Sequence, residues 1–143
     1  MLLNKSTPSI LNENLLLCFP EYGTIEQGFL SVAESEKNCP FPIQRTYWVY
    51  GCPEGKQRGG HAHRSVHQIL ICVAGEVEVI LDNGVEKEAF ILNNPTIGLH
   101  QKPLVWGDLI HKKDSALIVL ASEHYSEPEY IRNYNEFLKI VAS

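Results

Sequence analysis

"GKQRGGHAHRSVHQILICVAG", residues 55 to 75, sets a polar, histidine-bearing run directly before an apolar one, each of strand length. In an extended chain successive side chains face opposite ways, so His61 and His63 share one face and Ala62 takes the other. Outward from this stretch the same signals recur in "RTYWVYG" (45–51), "EVEVILDNG" (76–84), "KEAFIL" (87–92) and "SALIVLAS" (115–122). These segments are short, rich in β-branched and aromatic residues, and separated by turn residues, which predicts an antiparallel sandwich or barrel over about residues 15–122.

Two hairpin turns are expected, one at Ala74-Gly75 and one at Asp82-Asn83-Gly84, where Asn-Gly favours the positive φ angles of a type I′ turn. "SVAESEKNCPFP" (31–42) reads as a loop. Toward the end of the chain, Ser126 is a candidate helix cap, with Glu127, Pro128 and Glu129 in the first turn. Tyr130, Ile131, Tyr134, Phe137, Leu138 and Val141 then follow at helical spacing, so a helix over about 127–141 is expected to pack on the outside of the sheet.

The 143 residues, 44% of them apolar, suffice for one domain with one core, and residues 1–143 are read as a single unit. A formal charge of -5 and a pI near 5.6 argue against a nucleic-acid-binding surface, which needs a basic stripe. Cys18, Cys39, Cys52 and Cys72 are scattered without a CxxC pair, and the start of the chain lacks the pattern of a secretory signal. The expectation is a cytoplasmic protein with reduced thiols. The longest early apolar run, Leu15 to Phe19, is flanked by Glu13 and Glu21 and is far below membrane-spanning length, so no membrane contact is expected.

Gly55, His61, Ala62, His63, Gln68 and Gly75 stand at the spacing of the first motif of the cupin barrels, with one change: Gln68 occupies the position where metal-binding cupins usually carry a glutamate. The resemblance implies an all-β fold, a jelly-roll antiparallel barrel followed by the C-terminal helix. A neutral amide is a weaker ligand than a carboxylate for a divalent ion and balances none of its charge. The late histidine that would complete such a site has two candidates, His100 and His111, neither in a convincing second motif. Without a metal, His61 and His63 are groups whose ordinary pKa near neutrality suits proton transfer.

"RGGHAHRSVHQILICVAGEVEVIL", "PTIGLHQKPLVWGDL", "ALIVLASEHY" and "EYIRNYNEFLKIV", in that order, make the chain from about Ile43 to Val141 resemble the WxcM-like nucleotide-sugar 3,4-ketoisomerases, small cupins acting on dTDP-4-keto-6-deoxyglucose. It is similar, more distantly, to the dTDP-sugar 3,5-epimerases. The chain departs from the family at Gly60, where an aromatic residue is usual, and at Gln57, where a second arginine is common.

Moving a ketone from C4 to C3 requires a base at carbon, a proton source for the oxygens and surroundings that exclude water. The resemblance supports His61 and His63 as the catalytic pair. His63 is read as the base at carbon with His61 beside it, and the sequence leaves their order open. Tyr47 or Tyr50 would donate to an oxygen; three apart in a strand, they face opposite sides, so only one can serve. Arg58 and Arg45 are candidates for the diphosphate clamp, Trp106 for packing against thymine or sugar, and Gln68 for the substrate side of the site. His67 shares the face of His63 only if the strand continues undistorted. The expected partners are a dTDP-linked keto sugar and, as the resemblance implies, a second copy of the chain, with strands near the N-terminus crossing between the two. No cofactor is expected. The competing readings are a cupin that binds a nucleotide sugar without converting it, a metal-dependent cupin enzyme using His61, His63 and His111, and epimerase chemistry at C3 or C5.

Overall fold

Along "VEVILD" the side chains of Val77, Val79 and Leu81 are fully buried while Glu78 and Ile80 stay half-exposed, the alternation of a strand with one face in a core. The computed structural model describes residues 14–143. Its strands are β1 (Leu16–Cys18), β2 (Glu21–Thr24), β3 (Gly28–Ser31), β4 (Arg45–Tyr50), β5 (Lys56–His63), β6 (Gln68–Ala74), β7 (Val77–Asp82), β8 (Lys87–Leu92), β9 (Ile97–Gln101), β10 (Trp106–His111), β11 (Ala116–Ala121) and β12 (Tyr130–Ile131). One helix, α1 (Tyr134–Ala142), follows.

Two five-stranded sheets, ordered β1-β9-β6-β11-β4 and β12-β5-β10-β7-β8, face each other as the expected antiparallel jelly roll. Leu70, Cys72, Leu99, Leu117 and Val119 from the first sheet meet Val77, Val79, Leu81 and Leu92 from the second in the main core. The run "QILICVA" is apolar on both faces because the outer side of β6 is covered as well: Ile69 and Ile71 pack under Phe19, Cys39, Phe41 and Leu120. The hairpin β2-β3 stands apart from both sheets, and every residue of its strands is exposed. Residues 32–42 form the expected loop, pinned by one isolated bridge between Ser35 and Cys39.

Three local expectations are corrected. Ala74-Gly75 does not close a hairpin: β6 and β7 belong to different sheets, and the chain crosses between them at Gly75 with φ +71, where a Cβ would come within 2.9 Å of the Ser115 Cα. The turn after Asp82 spans residues 83–86, is closed by the Asn83 N–H donating to the Glu86 carbonyl (3.2 Å), and has positive φ only at Gly84. The Asn83 side-chain oxygen accepts from the N–H groups of Val85 and Glu86, so this asparagine turns the chain through its side chain and not through a left-handed backbone.

The third correction concerns the C-terminal helix, which starts eight residues after the proposed Ser126 cap, at Tyr134. Residues Glu127–Glu129 make one 3-10 turn without a side-chain cap, and Tyr130–Ile131 then pair with β5. Asn133 is the true cap, its side-chain oxygen accepting from the Glu136 N–H at 2.9 Å. Pairing with β5 wins over helix continuation because it buries Ile131 against Ala62, Trp106 and Phe137 on the outer face of the second sheet. No helix among the described residues is long and apolar enough to cross a membrane.

Candidate active site

The second half of β5 builds the site, and two glycines determine how. Gly59 and Gly60 have φ of +83 and +74, and the pairing with β10 slips between them: His61 lies opposite Gly107 and Gly59 opposite Asp108, leaving Gly60 as an extra residue. Such a bulge re-aims the side chains that flank it. Arg58 and His61, three apart and therefore on opposite faces of a regular strand, consequently both line the barrel interior. At Gly60 an added Cβ would meet only Asp108 Oδ1, at 3.7 Å, and Asp108 is not among the cavity-lining residues.

Beyond the bulge the alternation resumes. His61 and His63 face inward with their rings edge to face at 5.0 Å, and Ala62 is buried on the other face. From the opposing sheet, β4 directs Tyr47 and Val49 inward, β6 supplies Gln68 as its first residue, and β9 supplies Gln101 beside it. Together these enclose a cavity of about 80 Å³ with His61, Tyr47, Gln68, Gln101 and Arg58 on its polar wall and Leu70, Leu109 and Val119 on its apolar one. The Gln68 amide donates to the Tyr47 hydroxyl at 3.1 Å, and the Gln101 amide donates to the Val105 carbonyl at 2.9 Å.

The electrostatics leave the imidazoles neutral and the phenol protonated at neutral pH. Burial, with the Arg132 charge behind it, holds His61 below its ordinary range. His63 is pushed down to about 4 by burial, then by His61 and Arg45, and neither of its ring nitrogens has a hydrogen-bond partner among the described residues. The Tyr47 hydroxyl is raised, first by burial and then by Tyr130, against the opposing effects of Gln68, Arg45 and Arg58.

Four of the residues named from sequence stand elsewhere or in other roles. Tyr50 is 71% exposed on the outer face of β4, so of the two tyrosines Tyr47 is the one in the cavity. Trp106 packs on the outer face of β10 against Tyr134 and Phe137, at ring distances of 5.2 and 5.6 Å, because the inward position next to it is Gly107. His67 follows the end of β5, and the chain turns there: its Nδ1 lies 2.9 Å from His100 Nε2 beside Phe41, away from the cavity. That turn is held by Glu129, whose carboxylate accepts from the N–H groups of Ser65 and Val66. His111 lines the same cavity, four residues along β10 from the partner of His61, a backbone separation of roughly 13 Å. His61, His63 and His111 therefore do not converge, and no group of three or more His, Cys, Asp or Glu among the described residues is arranged to hold a metal ion.

Sequence reasoning missed Tyr130, which it assigned to a helix stripe. Paired opposite His63, Tyr130 packs its ring 4.5 Å from His63 and 4.9 Å from His61, and its hydroxyl accepts from Arg45 Nη2 at 3.3 Å. Arg45 also lies over the Tyr47 ring at 5.2 Å, and Arg132, held by Glu127 at 2.8 Å, lies over the Tyr130 ring at 4.4 Å. A two-residue strand carries no periodicity of its own, so only its pairing reveals which way Tyr130 points.

Known proteins share this sequence pattern and this fold. The family described as FdtA, WxcM-like, C-terminal matches residues 13–142. A TDP-4-oxo-6-deoxy-alpha-D-glucose-3,4-oxoisomerase of Aneurinibacillus thermoaerophilus is 38% identical over 117 residues, 81% of this chain and 84% of that one. Among solved structures, QdtA, a sugar 3,4-ketoisomerase from Thermoanaerobacterium thermosaccharolyticum in complex with TDP, superposes with a TM-score of 0.86 at 34% identity, covering 89% of this chain and 93% of that one. A 3,4-ketoisomerase from Helicobacter canadensis does so with a TM-score of 0.85 at 36% identity, over 90% and 96%.

Proposed function

The chain belongs to the FdtA family of WxcM-like, C-terminal domains, and on that premise we propose that it is a sugar 3,4-ketoisomerase converting dTDP-4-keto-6-deoxyglucose to a dTDP-3-keto-6-deoxyhexose. The observation that carries the reading is the meeting of a neutral imidazole, His61, and a protonated phenol, Tyr47, on the wall of one cavity in a chain with this kinship.

In the proposed reaction one imidazole removes the C3 proton while Tyr47 gives its hydroxyl proton to O4, forming an enediol. The O3 proton then passes to the Tyr47 phenolate, and the imidazolium, its proton exchanged with solvent, delivers a proton to C4. Both groups end as they began, so no co-reactant is consumed. His61 suits the carbon-bound proton better than His63, because it lines the cavity, whereas His63 is 1% exposed and holds protons only below about pH 4. A base works best with a pKa near the operating pH. His63 and Tyr130 then serve as the packed wall that fixes the His61 ring. Arg45 and Arg58 are the proposed clamp for the diphosphate, since a guanidinium binds two phosphate oxygens at once.

The acting unit is proposed to be a homodimer in the cytoplasm. The hairpin β2-β3 supports this, because it exposes Tyr22, Phe29 and Leu30 at 60%, 58% and 60% and stands away from its own barrel. Light scattering on the purified protein would return twice the 16.1 kDa chain mass; a monomer at micromolar concentration rejects the dimer.

The activity is tested by a proton NMR time course with dTDP-4-keto-6-deoxyglucose in deuterated water, run beside His61→Asn and His63→Asn variants. Loss of the C3 proton signal, deuterium at C4 and a new 3-keto species are expected, and the product couplings read the stereochemistry at C4. Exchange should vanish in His61→Asn and persist, weakened, in His63→Asn. Binding without any exchange would turn the reading to a non-catalytic nucleotide-sugar-binding protein, and exchange at C5 would turn it to an epimerase.

A further inference from the structure

Among the described residues one side-chain group bonds the Tyr47 oxygen, the Gln68 amide NH2, which donates to it at 3.1 Å. Across β11, Ala121 lies opposite both Arg45 of β4 and Gln68 of β6. The small, fully buried Ala121 side chain leaves Arg45 and Gln68 free to close over Tyr47 from two sides, the guanidinium on its ring face and the amide on its oxygen. Gln68 is 2% exposed, so its amide has no competing bulk water, and it sits at the cavity wall beside the phenol.

We propose that Gln68 is the positioning residue of the reaction: by donating its amide N–H to the Tyr47 oxygen at 3.1 Å, it aims the Tyr47 proton into the cavity and stabilises the phenolate left when that proton reaches the sugar oxygen. The inference rests on the ketoisomerase reading. A phenol oxygen offers two acceptor lone pairs and one donor hydrogen. With a lone pair taken by the amide, the hydrogen must find its partner elsewhere, and the open side is the cavity. A carboxylate at the same place would do the reverse, accepting the Tyr47 proton and withdrawing it from the reaction. The direction of the Tyr47 ionisation agrees, since burial raises it and the Gln68 bond is one of the few contacts that lower it.

The test uses full-length protein carrying Gln68→Glu, which keeps the shape, and Gln68→Met, which keeps the volume without a donor. Tyrosine labelled with carbon-13 at the ring carbon bearing the hydroxyl reports each phenol's titration by NMR, and the Tyr47 resonance is identified by its absence from a Tyr47→Phe variant. The Tyr47 midpoint should rise in both variants, most in Gln68→Glu. At neutral pH kcat should fall about 100-fold in Gln68→Glu, within the range a general acid contributes, while KM stays within about threefold. Between pH 7 and pH 5.5 the wild-type rate should decline as the imidazole protonates, whereas Gln68→Glu should gain activity as its introduced carboxyl becomes protonated and able to donate. An unmoved Tyr47 midpoint in Gln68→Met, or a Gln68→Glu enzyme with wild-type kcat and pH profile, overturns the proposal. A shifted Tyr47 midpoint in a protein that never isomerises the sugar overturns the ketoisomerase reading and leaves the Gln68–Tyr47 coupling standing.

Discussion

Acidification should destabilise this protein through His63. The imidazole is 1% exposed, lacks a hydrogen-bond partner among the described residues and is pushed down to about 4, first by burial and then by its neighbour His61 and by Arg45. A group whose folded pKa lies below its unfolded one binds fewer protons when folded, so falling pH favours the unfolded chain. The loss starts as the pH drops through the ordinary value of 6.5 and levels off once it is below the folded value of about 4. With those two values, linkage gives about 2 kcal/mol lost between pH 7.5 and pH 5 from this one group. His61, His67 and His111 are lowered too and act in the same direction, so His63 must be isolated by difference. Urea unfolding of the wild type and of His63→Gln at both pH values does this: the constant cost of the buried amide cancels, and the stability gap between the two proteins should close by about 2 kcal/mol on acidification. A gap that stays constant with pH would show that His63 is solvated or hydrogen-bonded in the folded protein, and the account of a dry imidazole wall behind His61 would fall with it.

Other perturbations test the remaining assignments. Ketoisomerase activity should decline toward acid with a midpoint below 6.5, because the His61 imidazole must be neutral to take a proton; a decline centred above 6.5 contradicts that role. Tyr50→Ala should leave kcat and KM within about twofold, as its ring lies outside the cavity, whereas Tyr47→Phe should cost about 100-fold or more in kcat. Gly59→Ala should destabilise more than Gly60→Ala in urea, since both carry positive φ worth about 1–2 kcal/mol to an alanine but only at Gly59 would the Cβ come within 2.8 Å of the Gly107 carbonyl. Phe137→Ala should cost about 3–5 kcal/mol, because its fully buried ring joins α1 to Trp106 and Ile131; a loss under 1 kcal/mol would mean the helix is not docked as described.

Strand-length apolar segments and the alternation through His61, Ala62 and His63 are local properties of the backbone, and the amino-acid order was enough to read them: an antiparallel β-fold, two imidazoles on one face, and one of two tyrosines with them. The motif segments carried the kinship in the same way, since spacing along the chain is itself sequence. Sheet membership was beyond such reading. Ala74-Gly75 is as good a hairpin signal as any, yet β6 and β7 separate into different sheets because each finds better partners elsewhere, β6 in β9 and β11, β7 in β8 and β10. The turn of Arg58 into the cavity depends on a bulge whose register only β10 supplies, and the arrival of Tyr130 beside the histidines depends on two residues pairing with β5 some 67 positions earlier in the chain. Trp106 and His67 were misassigned for the same reason: which face of a strand is the inside, and where a strand stops, are decided by what packs against it. Local sequence thus determined the chemistry available to this protein, and long-range pairing, whose energy no single segment contains, decided which of those groups meet.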